Sequence, residues 1–194
     1  MNRMEGSDAA AVQQALAGDR DAFRVLVDRH SRSLFRLAYR MTGNEHDAEE
    51  VVQETFLRAY RRLSKFESRA NFGTWLYRIG INCSLDYRRS RQRHEERREP
   101  DDAEGNPAVQ QLASEAPAAD RVVFSGEVGA TVARAMSELS DVERSAFVLR
   151  HFEGLSIEEI GKALGLRASA TKNSIFRAVQ KLRRALEPMV STTR

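Results

Sequence analysis

The chain has 194 residues, of which 41% are hydrophobic and 30% charged, and it carries 31 Lys and Arg against 28 Asp and Glu for a net +3. That length suits one domain or two small ones, and no stretch approaches the roughly 20 uninterrupted apolar residues of a spanning helix. The lone Cys83 excludes an internal disulfide, four scattered histidines offer no metal-ligand cluster, and the opening MNRMEGSDAAAVQQALAGDRD lacks the apolar core of an export signal, so a cytoplasmic protein without membrane insertion, metal or cofactor is expected.

Apolar residues first fall at Phe23, Leu26, Val27, Leu34, Leu37, Ala38 and Met41, with His30 among them, in the three-and-four spacing of one helix face. The run TGNEHDAEE breaks this helix. Asn44 is placed to cap the next one, where Val51, Val52, Thr55, Phe56, Ala59, Tyr60 and Leu63 continue the period. A polar loop, SKFESRAN, leads to a third helix with Phe72, Trp75, Leu76, Ile79, Cys83 and Tyr87 on one side. Three inward stripes without any alternating strand pattern predict a small all-α bundle over residues 18–93. The polar face of the third helix carries Arg78, Asn82 and Arg89, with Asp86 nearby. Such amides and arginines beside aromatics suit an unstacked base, which offers a ring face and a hydrogen-bonding edge. A solvated amphipathic helix would have the same composition.

Residues 94–121, beginning HEERREPDDAEGNPAVQQL, are rich in acid, Pro and Ala and poor in large apolar side chains, which predicts a flexible linker. Charge follows the same division. Residues 18–93 hold 16 Lys and Arg against 10 Asp and Glu, residues 94–120 hold 2 against 8, and residues 121–194 hold 12 against 8. Two basic halves around an acidic joint suit a polyanion partner, and equally a merely solvated basic surface.

A second helical cluster is predicted over residues 122–188. Ser140 with Glu143, and Ser156 with Glu159, have capping-box spacing, and Leu155 with Ile160 fit a hydrophobic staple around the second box. In LSIEEIGKALGLRASATKNSIFRAV, two short apolar-faced helices meet at Gly165, a helix-turn-helix pattern. On its second helix Ile175, Ala178, Val179, Leu182 and Leu186 are expected to pack inward, leaving Lys172, Asn173, Phe176, Arg177, Gln180 and Lys181 outside. A phenylalanine on a basic face has a use where a helix enters a major groove, against a thymine methyl or a sugar edge. The competing reading is a helical hairpin with Phe176 partly buried.

The segments DAEEVVQETF, TWLYRI and the helix-turn-helix, in this order, resemble an extracytoplasmic-function sigma factor, the minimal class of bacterial RNA polymerase initiation factors, over about residues 18–92 and 125–187. The resemblance implies two small helical domains, sigma regions 2 and 4, joined by the linker. It implies an initiation factor that binds core RNA polymerase, at the clamp coiled coil of the largest subunit and the flap of the second largest. Such a factor reads −35 and −10 promoter elements and promotes melting at a stress- or signal-specific regulon, commonly under an anti-sigma factor. Carried over by position, Glu50, Gln53 and Glu54 contact polymerase. Phe66, Asn71, Trp75, Arg78, Asn82 and Arg89 meet the −10 element, with the loop FESRANFGT capturing an unstacked base. Arg167, Ser169, Lys172, Asn173, Ser174, Phe176, Arg177 and Lys181 meet the −35 element, and the linker acids Asp101, Asp102 and Glu104 travel near the polymerase's basic channel. Trp75 is followed by Leu76 where housekeeping members have two tryptophans, which implies weaker melting and stricter promoter choice. Ser169 and Ala170 replace a usual Gly-Thr, with Ser169 still able to cap, and Ser174 replaces an often basic residue.

An enzyme finds little support: His30, His46, His94 and His151 are far apart, with no Gly-rich phosphate loop, HExxH pair or nucleophile elbow. A stand-alone DNA-binding regulator would share the helix-turn-helix but has no use for the polymerase-facing acids. An inactive relative would occupy polymerase without starting transcription.

Overall fold

Residues 6–67, 71–97 and 126–191 are described by a computed structural model, and within them every regular element is helical. The first half comprises α1 (Gly6–Leu16), α2 (Arg20–Thr42), α3 (Glu45–Arg61), a 3-10 turn (Leu63–Lys65) and α4 (Phe72–Arg97). The second comprises α5 (Gly126–Ser137), α6 (Asp141–His151), α7 (Ile157–Leu164) and α8 (Ala168–Ser191).

Local chemistry sets the boundaries. The Asp19 carboxylate accepts from the amides of Asp21 and Ala22 at 2.9 and 3.3 Å to start α2, which ends at Gly43 with φ 88°. Asn44 caps α3 as its position predicts, accepting from Asp47 N at 2.8 Å. The faces thus oriented bury Leu26, Leu34, Leu37 and Met41 of α2 with Val51 and Phe56 of α3 and Leu76 of α4. Burial on that scale contributes about 1.5–3 kcal/mol per large side chain.

Two features depart from the sequence reading. Helix α1 lies before residue 18, in an alanine-rich stretch with too few apolar residues to declare a stripe; Ala11 and Val12 are buried, and Asp8 pairs with Arg29 at 3.0 Å and His30 at 2.7 Å. Helix α4 runs to Arg97, past residue 93, packs against α7 in addition to α2 and α3, and buries Ile81 as well as the predicted Ile79 and Cys83. The remainder of the expected linker, including Asp101, Asp102 and Glu104, lies outside the described residues.

Both predicted capping boxes are present: Ser140 with Glu143 opens α6, and Ser156 with Glu159 opens α7. Leu155 and Ile160 are both buried beside the second box. The turn after α7 depends on two glycines. Gly165 adopts φ 68°, the left-handed conformation glycine enters without penalty, and the Leu166 amide returns to Gly161 O at 2.8 Å. A Cβ on Gly161 would stand 2.8 Å from Leu166 O.

The two halves pack on each other through α2 with α6 and α4 with α7. Arg144 of α6 is buried and donates to Met41 O of α2 at 2.9 Å and to Met136 O of α5. Around it, Arg40 lies 4.1 Å over the Phe152 ring and 3.6 Å from Glu153, and Arg88 pairs with Asp141 at 3.1 Å.

The glycine geometry makes a comparison. Gly161→Ala forces a rigid backbone carbonyl to move and should cost about 2 kcal/mol net of its gain in helix propensity, against about 1 kcal/mol for Gly165→Ala. Urea denaturation of the two variants measures this; a smaller loss for Gly161→Ala would contradict the packing account.

Candidate nucleic-acid interface

Helix α8 owes its orientation to an inner face on which Ala178 and Leu182 are buried against α5 and α6. That leaves Arg167, Ser169, Lys172, Asn173, Phe176, Arg177 and Lys181 exposed, with Phe176 at 63%. The side chains of Arg167, Lys172 and Asn173 have no protein partner among the described residues. Exposed cations and an amide around an uncovered ring form a surface that can meet phosphates and base edges. The hairpin reading, with Phe176 partly buried, does not hold.

Three expectations on this helix change. Ser174 is 2% exposed and its hydroxyl donates to Ala170 O at 2.9 Å, so it faces the core rather than the groove side. Ser169 is not the cap, because the helix starts at Ala168 and Thr171 N bonds Arg167 O at 3.0 Å, which puts the first carbonyl acceptor on Arg167. Val179, expected inside, is exposed beside Phe176.

Two of the exposed cations are engaged. Glu143 on α6 is buried, and its carboxylate accepts a hydrogen bond from Lys181 Nζ at 2.7 Å and forms an ion pair with Arg177, whose Nε lies 3.2 Å away. Burial pushes the Glu143 pKa up, but the hydrogen bonds from Lys181 and from the Ser140 amide outweigh this and hold it below the usual carboxylate value. Nothing in the local sequence marks Glu143 as more than a capping residue; only the return of α8 onto α6 reveals it.

On α4, Trp75, Arg78, Asn82 and Arg89 share one side at helical spacing. Arg78, Asn82 and Arg89 are exposed and Trp75 is half-buried. Asn71 begins this helix, its side-chain oxygen accepting from Thr74 N at 3.2 Å. Phe66 departs from expectation: at 9% exposure it lies among Phe72 and Trp75, with ring centroids 5.6 and 5.2 Å away. Phe66 is therefore packed against Trp75 and largely covered. Arg89 also approaches Asp141 of α6 at 3.9 Å.

On α3, Glu50 and Gln53 are exposed, while Glu54 is half-buried and accepts from Arg58 Nε at 2.6 Å. Arg58 reaches on to Asp86 of α4 at 2.9 Å, and these bonds, the one to Asp86 foremost, raise its pKa above the ordinary arginine value. Glu50, Glu54, Arg58, Cys83, Asp86 and Tyr87 line a groove of about 220 Å³ between the two helices. Burial raises the Cys83 thiol pKa, which leaves it a poor nucleophile. The other end of the groove is locked by a residue the sequence reading passed over. Asp47 is buried at the start of α3 and accepts from Tyr87 OH at 2.8 Å and Arg91 at 2.6 Å. Among the described residues no group of His, Cys, Asp and Glu could hold a metal ion, and no helix is long and apolar enough to cross a membrane.

Comparison with known proteins matches this division. The family model "Sigma-70 region 2" fits residues 26–94, and "Sigma-70, region 4" fits residues 130–182. The chain is 33% identical to the ECF RNA polymerase sigma factor SigW of Bacillus subtilis over 179 residues, covering 92% of this chain and 96% of that one. It is 33% identical to the RNA polymerase sigma-H factor of Pseudomonas aeruginosa, covering 94% and 95%. Among solved structures, CnrH in complex with the cytosolic domain of CnrY superposes with a TM-score of 0.67 at 30% identity, over 94% of this chain and 98% of that one.

The depressed carboxylates carry a pH consequence. Glu143, and Glu159 through its hydrogen bonds from Ser156, have folded pKa values below the ordinary 4.5, so their stabilisation is complete above that pH and is lost as pH falls through the folded values. The double variant Glu143→Gln, Glu159→Gln should lose stability less steeply on acidification than the wild type. Thermal melts between neutral and acidic pH measure this, and parallel profiles would refute it.

Proposed function

The chain belongs to the extracytoplasmic-function sigma factors of the sigma-70 family and is a DNA-binding factor for transcription initiation by RNA polymerase, and we propose that it reads −10 and −35 promoter elements through the α4 and α8 faces while α3 holds the polymerase. The observation carrying this reading is the coexistence, in one chain, of an uncovered Phe176 among exposed cations on α8 and an acid-lined groove between α3 and α4. A stand-alone regulator has a use for the first and none for the second.

In this reading Glu50 and Gln53, with Glu54 held by Arg58, present negative and amide groups to the basic clamp helices of the largest subunit. Residues 18–93 act as the region 2 domain, 94–121 as the connection, and 122–188 as the region 4 domain. Trp75, Arg78 and Asn82 take unstacked bases of the −10 element, and contact with flipped bases offsets unstacking, a few kcal/mol per step, without ATP. On α8, Lys172, Asn173, Phe176 and Arg177 read the −35 element while Arg167 meets a phosphate. Elements about 25 base pairs apart lie about 85 Å apart along B-form DNA. A compact chain of this length is only about 40 Å across. Engaging both elements therefore requires the junction at Arg144 to open. Since CnrH is held by the cytosolic domain of CnrY, a protein inhibitor is proposed for this chain as well. Its place of work is the cytoplasm, at the nucleoid.

Reconstitution with core polymerase and genomic promoter fragments should yield specific run-off transcripts, whose sequencing names the regulon; DNA binding without transcripts would favour the regulator or the inactive relative. Arg177→Ala should weaken upstream recognition by about 1–3 kcal/mol. Glu50→Lys should instead lower affinity for core polymerase and leave promoter choice intact. Competitive transcription between promoters and a polymerase-binding titration separate the two effects, and an exchange of phenotypes would refute the assignment.

A further inference from the structure

The cations of the recognition face are not equivalent, and the difference lies beneath them. Glu143 is the third residue of α6, its side chain is 6% exposed, and its Oε2 accepts both the Ser140 amide at 3.0 Å and Lys181 Nζ at 2.7 Å. The other oxygen forms an ion pair with Arg177, whose Nε lies 3.2 Å away. Arg177 is 61% exposed, and its terminal nitrogens have no protein partner among the described residues. This ion pair holds the Nε edge of the planar guanidinium beside a buried carboxylate, which restricts the arm while leaving its outer fork exposed. The fork is the part that makes paired hydrogen bonds to guanine O6 and N7, or to two phosphate oxygens. Lys181 sits one turn further along α8, away from the N-terminal residues that enter a groove, and its ammonium is held on the same carboxylate.

We propose that Glu143 is a positioning residue for upstream-element recognition: it orients the Arg177 fork toward the base edge and withholds Lys181 from the phosphates. This rests on the reading of α8 as the −35 helix. The carboxylate thereby converts two mobile cations, which would bind any duplex, into one aimed donor pair and one internal tether. Sequence preference rises because fewer indiscriminate phosphate contacts are made. Arg177 meets DNA with less side-chain freedom left to lose.

The test uses holoenzyme reconstituted from core polymerase and the full chain, with two duplexes: a promoter recovered from the run-off transcripts, and the same promoter with its upstream element scrambled. Glu143→Gln removes the charge but keeps an acceptor for the Ser140 amide, so it should retain a cooperative melt. Its preference for the intact over the scrambled duplex should fall about tenfold. The slope of log affinity against log salt should steepen by about 1 as a released cation reaches a phosphate. In an Arg177→Ala background, Glu143→Gln should cause no further loss of preference. Should the glutamine variant not fold, Glu143→Asp, whose shorter arm keeps the charge but falls short of α8, gives the same comparisons. An unchanged preference and salt slope, or an equal loss with and without Arg177, would overturn the inference. A wild type that fails to distinguish the two duplexes would instead refute the −35 reading on which it stands.

Discussion

One buried guanidinium fixes how the two halves of this protein meet. The last carbonyls of a helix have no intrahelical partner, and they sit at the negative end of the helix dipole. Arg144 answers both needs twice, donating to Met41 in the last turn of α2 and to Met136 in the last turn of α5. A cation taken out of water is costly, and burial together with the neighbouring Arg88 pushes its pKa down to about 10. What compensates is position: α6 is delivered against the ends of two helices from opposite halves, and the apolar faces of α6 and α7 follow it onto α2 and α4. Removing this side chain would leave carbonyls as well as a void.

The same economy of charge runs through the rest of the molecule. Buried carboxylates are the fixed points and exposed cations the movable ones. Asp47 gathers Tyr87 and Arg91 to hold the start of α3 on the end of α4, and Glu143 gathers Arg177 and Lys181 to hold α8 on α6. Burial, together with the Asp47 bond, raises the Tyr87 pKa above the ordinary tyrosine value, so this phenol remains a donor. In each case the acid opens a helix, where the free amides favour negative charge, and the partner arrives from a distant turn of chain. The surfaces left exposed are those proposed to work outside the molecule: Lys172, Asn173 and Phe176 on α8, Arg78 and Asn82 on α4, Glu50 and Gln53 on α3.

This division explains which parts of the structure were legible in the sequence. Periodicity found α2, α3 and α4, and spacing found both capping boxes, because these depend on residues within a few positions of one another. The outward face of α8 was legible for the same reason, since Phe176 and the cations around it recur at the spacing of one helix turn. Ser174 and Phe66 were misjudged because family position suggested contact with DNA, whereas their burial is decided by which turn of the helix and which neighbouring ring they meet. Helix α1 escaped because alanine carries little pattern. Least legible were Arg144, which no local pattern marks, and the role of Glu143 beyond its capping box. Their partners lie 103 residues away at Met41 and 38 residues away at Lys181, and no local window contains both ends of such an interaction.

The chemistry of that junction also fixes what it ignores. Arg144, at about 10, and Tyr77, which burial pushes up to about 12 beside Glu153, both keep their protons throughout the neutral range. Neither group would exchange a proton with solvent in the proposed opening near pH 7, so neither lends that step any sensitivity to acidification. What these two groups do respond to is competition for a guanidinium and a phenol: dissolved ions, water, and any macromolecule that offers better acceptors. Arg144 and Tyr77 thus tie the halves together through groups that do not titrate in the neutral range.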